Sequence, residues 1–175
     1  MSSVFCIARN ANQAEAIVDR LKAAGFSNQD ISVLMPDKTG THDFAHVHST
    51  KAPEGATAGV STGAVLGGAL GWLTGVGALA IPGLGPFIAA GPIMAALSGA
   101  AVGGAVGGLT GALIGMGIPE YEAKRYEGKV QGGNLLISVH TEDSGESSKV
   151  KNIFKDEDAE DISASAEAAV AGRDR

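Results

Sequence analysis

Residues 4–36 read VFCIARNANQAEAIVDRLKAAGFSNQDISVLMP, and this stretch decides the fold class. Val4–Ala8 is a short apolar run that predicts a buried strand. Asn10 or Asn12 can cap a helix that follows, because asparagine accepts hydrogen bonds from the first free N–H groups. The apolar residues of that helix recur at helical spacing: Ala14, Ile17, Val18 and Leu21. Residues 30–35 predict a second strand, so residues 1–36 form one β-α-β half.

The same pattern returns near the carboxyl end of the chain. Asn134–His140 predicts a strand, Ser144–Lys155 a helix, and Asp161–Ala166 an edge strand with weak alternation. Together the halves follow the order of an α+β, ferredoxin-like βαβ-βαβ sandwich. We expect two helices on one face of a four-stranded sheet.

The block between the halves, Gly55–Pro119, has an unusual composition. Every Asp, Glu, Lys and Arg and all four His lie outside it, whereas it holds 19 of the 26 glycines. The whole-chain values of 45% hydrophobic and 18% charged residues therefore describe no part of the chain.

Glycine recurs every fourth residue in two runs of this block. Four residues are about one helical turn, so each run predicts a groove that a second helix can approach closely. We predict helix packing and oligomerisation at Gly59, Gly63, Gly67, Gly71, Gly75, Gly99, Gly103, Gly107, Gly111 and Gly115.

These runs predict a glycine-zipper hairpin at 57–116, with helices at 57–80 and 93–116. Residues 81–92 hold three prolines that end a helix. Each helix is long enough for a bilayer of about 30 Å. Its glycines cost about 1 kcal/mol each relative to alanine, so the helix needs close packing or lipid around it.

Two environments satisfy that need. In the first, the hairpin associates with the cytoplasmic membrane and the polar domain stays in the cytoplasm, as flanking Lys51, Lys124, Arg125 and Lys129 suggest. In the second, hairpins of several chains bury one another in a large cytoplasmic assembly. The predicted partners are other copies of the chain and, in the first case, membrane lipid.

The sequence shows no catalytic constellation. The Asp37–Thr41 motif DKTGT resembles a phosphorylation motif, but a chain of 175 residues has no room for the domains that such chemistry needs. His42, His46 and His48 can bind a divalent metal, although their setting is that of a solvated loop. We predict no enzymatic activity, no cofactor and no metal site.

Other classes are excluded by simple counts. One cysteine cannot form a disulfide framework. A net charge of -6 argues against a nucleic-acid partner, which favours a basic face. Arg9 follows the first apolar run at once, so the start is not a secretory signal.

The arrangement resembles a family of bacterial general stress and low-temperature-induced proteins that carry a glycine-zipper hairpin in a ferredoxin-like domain. The resemblance rests on Val4–Ala8, Ala23–Phe26, Asp30–Leu34, Ile81–Pro86, Gly117–Ala123 and Asn134–Val139. It implies a stress-associated, membrane-linked or self-assembling structural protein with no assigned enzymatic activity.

The sequence thus predicts the following organisation: a first βαβ half at 1–36, a polar linker at 37–56, the hairpin at 57–116, a charged connecting helix at 117–133, a second βαβ half at 134–170 and a tail at 171–175. The main hypothesis is a non-enzymatic homo-oligomer that associates with membrane. The alternatives are a soluble homo-oligomer with hairpins buried between subunits, or a ligand- or metal-sensing module.

Overall fold

The structure, a computed structural model, describes residues 2–36, 77–81, 85–91, 93 and 108–166. For 77–81, 85–88, 90 and 166 it describes the backbone alone. The linker at 37–56, most of the predicted hairpin and the tail lie outside the described residues.

The described residues form six strands and four helices, an α+β fold. In chain order they are β1 (Ser2–Ala8), α1 (Ala11–Ala23), β2 (Ile31–Pro36), β3 (Gly77–Ile81), β4 (Gly85–Ala90), α2 (Gly108–Gly115), α3 (Glu120–Gln131), β5 (Leu135–Thr141), α4 (Ser144–Asp156) and β6 (Glu160–Ala166).

Helix α1 is bounded by local signals that the sequence contains. The Asn10 side chain accepts a hydrogen bond from the Gln13 N–H at 2.9 Å, so Asn10 rather than Asn12 is the cap. At the other end Gly25 has a φ of +97° and the Phe26 N–H donates to the Leu21 carbonyl at 3.1 Å. This left-handed turn closes the helix and returns the chain to the sheet.

All six strands belong to one antiparallel sheet in the order β3-β4-β2-β5-β1-β6. The four strands predicted from the two halves lie side by side as β2-β5-β1-β6. Strand β6 lies at one edge, as its weak alternation predicts. These four strands form the expected antiparallel array, and β3 and β4 from the insert extend it beyond β2 to six strands.

Helices cover both faces of the sheet. One core cluster joins Val4, Cys6, Ile137 and their neighbours to α1 and α4. A second cluster joins the opposite face, including Phe5, Ile7 and Leu136, to α2 and α3. The two helices expected on one face, α1 and α4, do pack on the same face, and α2 and α3 cover the other. Because both faces are buried, the middle of β1 is apolar at every position instead of alternating.

The insert differs from the predicted helical hairpin where the structure describes it. A helix at 57–80 is wrong at its end, because Gly77–Ile81 is strand β3. The predicted turn at 81–92 contains β4, which pairs with both β3 and β2. The prolines do exclude a helix there, but the chain between them forms a β-hairpin. Residues 57–76 lie outside the described part.

Candidate assembly surface

Helix α2 is the described end of the second glycine run. Gly108–Gly115 is helical, within the predicted span of 93–116, and the helix closes at Met116. Gly117 has a φ of +86°, its N–H donates to the Ile114 carbonyl at 2.9 Å, and the Ile118 N–H donates to the Leu113 carbonyl at 3.0 Å. These two bonds are the usual glycine-based stop of an α-helix.

One side of α2 packs on the domain. Leu109 and Leu113 are fully buried, and Ala112 is 5% exposed, in the cluster against Phe5 and Ile7. The start of the helix is held by Glu127 of α3, whose carboxylate accepts hydrogen bonds from the Thr110 N–H and hydroxyl group. A carboxylate near a helix N-terminus also opposes the positive end of the helix dipole.

The other side of α2 is apolar and open. Ile114 is 39% exposed, and Gly115 is exposed, with nothing within 4 Å of a Cβ placed there. Gly111 precedes Gly115 by one turn on the same side and is half-buried. The helix carries no charged residue. A helix that is apolar all round is normally buried on every side, so this open side needs a cover.

Exposed apolar surface continues at the start of α3. Tyr121 is 69% exposed, and its hydroxyl group donates to the Glu122 carboxylate at 2.9 Å. Ile114 and Tyr121 are the large apolar side chains that the described residues leave exposed. Both lie next to the turn that joins α2 to α3.

Of the predicted packing glycines, the structure describes Gly111 and Gly115. Both lie on the side of α2 that carries Ile114; Gly115 has nothing within 4 Å of a Cβ placed there, and Gly111 is half-buried. The other eight lie outside the described residues: Gly59, Gly63, Gly67, Gly71, Gly75, Gly99, Gly103 and Gly107.

The charged connecting helix predicted at 117–133 corresponds to α3, Glu120–Gln131. Lys124 and Glu120 form an ion pair at 2.6 Å, one turn apart, and it lowers the pKa of Glu120. However, α3 is more than a connector, because Ala123, Tyr126 and Val130 are buried against the sheet.

Charged and hydroxyl groups tie α3 to the edge strand β6. Lys129 forms ion pairs with Glu160 and Asp161, and Arg125 forms one with Asp161. The Tyr126 hydroxyl group donates to the Asp161 carbonyl at 2.6 Å and lies 2.9 Å from the Ser163 hydroxyl group. Burial raises the pKa of Tyr126 to about 12.

Asp161 is unusual in its backbone. Its φ is +50°, which non-glycine residues rarely adopt. The register of β6 against β1 shifts between Phe5 and Ile7, so Asp161 lies in a β-bulge. Asp161 Oδ2 has no hydrogen bond of good geometry, but the Lys129 Nζ lies 3.0 Å away and balances its charge. Sequence reasoning did not find this network.

Sequence reasoning also did not single out Gly91, which follows β4 with a φ of +83°. A Cβ at this position would overlap the Ile31 carbonyl oxygen and lie 2.9 Å from the Ser32 Cα. The next described residue, Ile93, is buried and its N–H donates to the Ser32 hydroxyl group at 3.1 Å. Gly91 therefore lets the chain after β4 lie directly on β2.

The part of the chain that the structure describes contains no cluster of potential metal ligands. His42, His46 and His48 lie outside it. Cys6 is a free, fully buried thiol, and burial raises its pKa well above the usual range, so it acts as a small apolar side chain. Within the described segments, no helix has both the length and the apolar character to cross a bilayer.

Comparison of the chain with models of protein families, with curated proteins and with solved structures finds no match.

Proposed function

We propose that this chain is a non-enzymatic structural protein that self-assembles through its glycine-rich insert. One observation carries the proposal: α2 is apolar all round, and its open side presents Ile114, Gly111 and Gly115. The glycine spacing continues in the sequence toward Gly107 and Gly103. A small-residue groove favours close packing of a second helix, and a second copy of the chain offers the same groove.

The domain that carries this surface is, we infer, a ferredoxin-like unit extended by the insert. The neighbouring antiparallel strands β2-β5-β1-β6 support this inference, as do α1 and α4, which follow β1 and β5 and pack on one face. The chain order strand, helix, strand, repeated twice, is that of the ferredoxin-like motif. Strands β3 and β4 and helices α2 and α3 would then be the additions.

The resemblance to general stress and low-temperature-induced proteins adds a role to this proposal. In that role the chain is a bacterial stress-response protein that protects or shapes a membrane through its assembled inserts. The polar domain would face the cytoplasm, and membrane lipid would be a second partner. Lys124, Arg125 and Lys129 follow the insert, as the positive-inside rule expects of a cytoplasmic flank, but each is paired with a carboxylate of α3 or β6.

A specific observation favours the alternative, a soluble homo-oligomer in which inserts bury one another. β4 pairs with β2, and β3 pairs with β4, in the sheet of the domain, so the middle of the insert is not a tip far from it. Ile93 and Leu109 belong to one core cluster. Residues 94–107, which join them, are fewer than the about 20 residues of one membrane-spanning helix.

Two matched glycine variants test self-assembly. Gly115 and Gly128 both lie in helices, are exposed, and have nothing within 4 Å of a Cβ. They differ in that only Gly115 lies on the glycine run. We expect Gly115→Leu to lower the assembled mass in light scattering after size exclusion, and Gly128→Leu to leave it unchanged. Equal masses for both variants and the unaltered protein would contradict the proposal.

Fractionation separates the two environments. Cells that produce the chain are lysed without detergent, and the membrane fraction is washed with alkaline carbonate. Retention in the washed membranes supports the membrane proposal. Recovery as a large particle in the supernatant supports the soluble assembly.

A further inference from the structure

The outer edge of β3 is an edge of the sheet, and the proposed packing of the glycine run does not involve it. Strands β3 and β6 are the two edges of the sheet. Within the described segments β3 pairs with β4 alone. The backbone groups on its other side therefore have no strand partner there, and unpaired backbone groups at an edge can pair with another strand.

The hydrogen-bond pattern identifies the residues that face this edge. The register that sets Ile31 opposite Val139 also sets Asp30 opposite His140. The His140 N–H donates to the Asp30 carbonyl at 2.7 Å, so these two residues form a hydrogen-bonded pair. Hydrogen bonding alternates along an antiparallel strand from one neighbour to the other. The N–H and C=O groups of the even-numbered residues of β2 therefore point to β5, and those of Val33 and Met35 point to β4.

The alternation continues into the insert. Val33 is opposite Ala90, and Met35 is opposite Ile88. The backbone N–H and C=O groups of the even-numbered residues of β4 therefore point to β2, and those of the odd-numbered residues point to β3. The odd-numbered residues of β4 are opposite Ile81, Leu79 and Gly77 of β3.

Ala78 and Ala80 consequently direct their N–H and C=O groups to the outer edge. Pro86 agrees with this assignment, because it is opposite Ala80 in a pair that requires no hydrogen bond. A proline, which has no N–H, is acceptable at such a position.

The two edges of the sheet differ in their protection. At β6, a bulge, a left-handed aspartate and the charges of Glu160 and Asp161 interrupt the edge, and all three features discourage pairing with another strand. Strand β3 has the sequence GALAI, with no proline, no charge and an unbroken register against β4. It is a regular strand that nothing in its own sequence protects.

We propose that the outer edge of β3 pairs in antiparallel fashion with the same edge of a second copy of the chain. Two features select a second copy as the partner. The edge is uncharged, as is the whole of Gly55–Pro119, so two copies meet without repulsion between like charges on the insert. Antiparallel pairing of identical strands is also compatible with a two-fold axis, the commonest symmetry of protein dimers.

The outward groups also fix the register. Ala78 pairs with Ala80 of the second copy, and Ala80 with Ala78 of the second copy. This register gives a hydrogen-bond partner to the outward N–H and C=O groups of both residues in both copies. Leu79 then lies opposite Leu79 of the second copy in a pair without hydrogen bonds. The two sheets join into one continuous sheet of the two domains.

Cysteine variants test this register directly. The Cα atoms of a pair without hydrogen bonds are about 4.5 Å apart, which is within the range that a disulfide can bridge. We expect Leu79→Cys to form a disulfide-linked dimer with oxidised glutathione. Ile81→Cys lies on the same strand and the same face but two residues off the axis, and we expect it to remain monomeric on a non-reducing gel. Native Cys6 is fully buried and should not react.

The outcomes decide the proposal. Cross-linking of Leu79→Cys alone supports it. Absence of cross-linking in both variants, or equal cross-linking in both, overturns it. Circular dichroism of both variants shows whether they keep the fold.

Hydrogen exchange of the unaltered chain distinguishes a second copy from other covers of the edge. We expect the amides of Ala78 and Ala80 to gain protection at least tenfold between low and high micromolar concentration. Protection that is the same at every concentration would mean that another part of the same chain covers the edge, and would overturn the proposal. Since the glycine run is not involved, cross-linking of Leu79→Cys should persist when Gly115→Leu is added. Loss of both assembly and cross-linking in that double variant would overturn the independence of the β3 edge.

Discussion

Replacing Gly91 by alanine tests whether β4 and the chain that follows it lie on β2. The added Cβ would overlap the Ile31 carbonyl oxygen and lie 2.9 Å from the Ser32 Cα. Backbone atoms of a central strand cannot move away as the end of a flexible side chain can. The φ of +83° adds a second cost, because an L-residue is strained in the left-handed region.

The magnitude follows from these two costs. Left-handed strain is worth about 1 kcal/mol, and overpacking of a filled site about 1–3 kcal/mol. We therefore expect Gly91→Ala to lower the free energy of unfolding by about 2–4 kcal/mol. With a urea dependence of about 1.5 kcal/mol per molar, a loss of 3 kcal/mol moves the midpoint of unfolding by about 2 M.

Two other glycines provide matched controls. Gly25 has a φ of +97° but open space around a Cβ, so Gly25→Ala should cost only the strain, about 1 kcal/mol. Gly128 lies in helix α3 with open space and without positive φ, so Gly128→Ala should stabilise by about 0.5–1 kcal/mol. Urea unfolding followed by far-UV circular dichroism measures all three. A loss for Gly91→Ala no larger than that for Gly25→Ala would refute the close approach of β4 to β2.

Three further predictions concern the core and the charged network. Tyr126→Phe should cost about 1–2 kcal/mol in urea unfolding, because the Asp161 carbonyl loses its donor; no loss would mean that this bond contributes nothing. Leu113→Ala should cost about 2–5 kcal/mol, because its side chain is fully buried between α2 and the sheet; a loss below 1 kcal/mol would indicate that α2 is not packed there. Lys129 holds the pKa of Glu160 below its usual value of 4.5, so this pair stabilises the fold above that pH, and the contribution is lost as the pH falls through the lowered folded pKa. Glu160→Gln should therefore flatten the fall in stability below pH 4.5, and an unchanged acid profile would contradict this.

The elements flanking the insert could be predicted because their signals are local. Asn10, Gly25 and the apolar spacing of α1 lie within one helix, and the apolar face of α4, with Val150, Ile153 and Phe154, is buried as its spacing predicts. Each of these signals needs no knowledge of distant residues.

Strands β3 and β4 were not predictable from the glycine pattern. A repeat of four residues is about one helical turn, but four is also a multiple of two, so the same repeat lies on one face of a strand. The sequence GALAI contains one β-branched residue, which gives little strand preference. Pairing of β4 with β2, a non-local contact, decides the structure of this hairpin.

The candidate sites show the same limit. The charges of α3 indicated a connecting helix, although Ala123, Tyr126 and Val130 recur at helical spacing and could have indicated a buried face. Gly91 is required because β2 lies directly beside it. Asp161 matters because Arg125 and Lys129 of α3 form ion pairs with it. Neither contact can be inferred from neighbouring residues in the sequence.

Self-assembly through the glycine-rich insert is tested most directly by the mass of the native chain in solution. Light scattering after size exclusion should give a multiple of 17.5 kDa for the unaltered chain. The double variant Gly67→Leu/Gly107→Leu should give a lower mass, because leucine fills both predicted grooves, while Gly128→Leu should match the unaltered chain. A mass of 17.5 kDa for the unaltered chain at high micromolar concentration, or the same assembled mass for the double variant, would contradict the central claim.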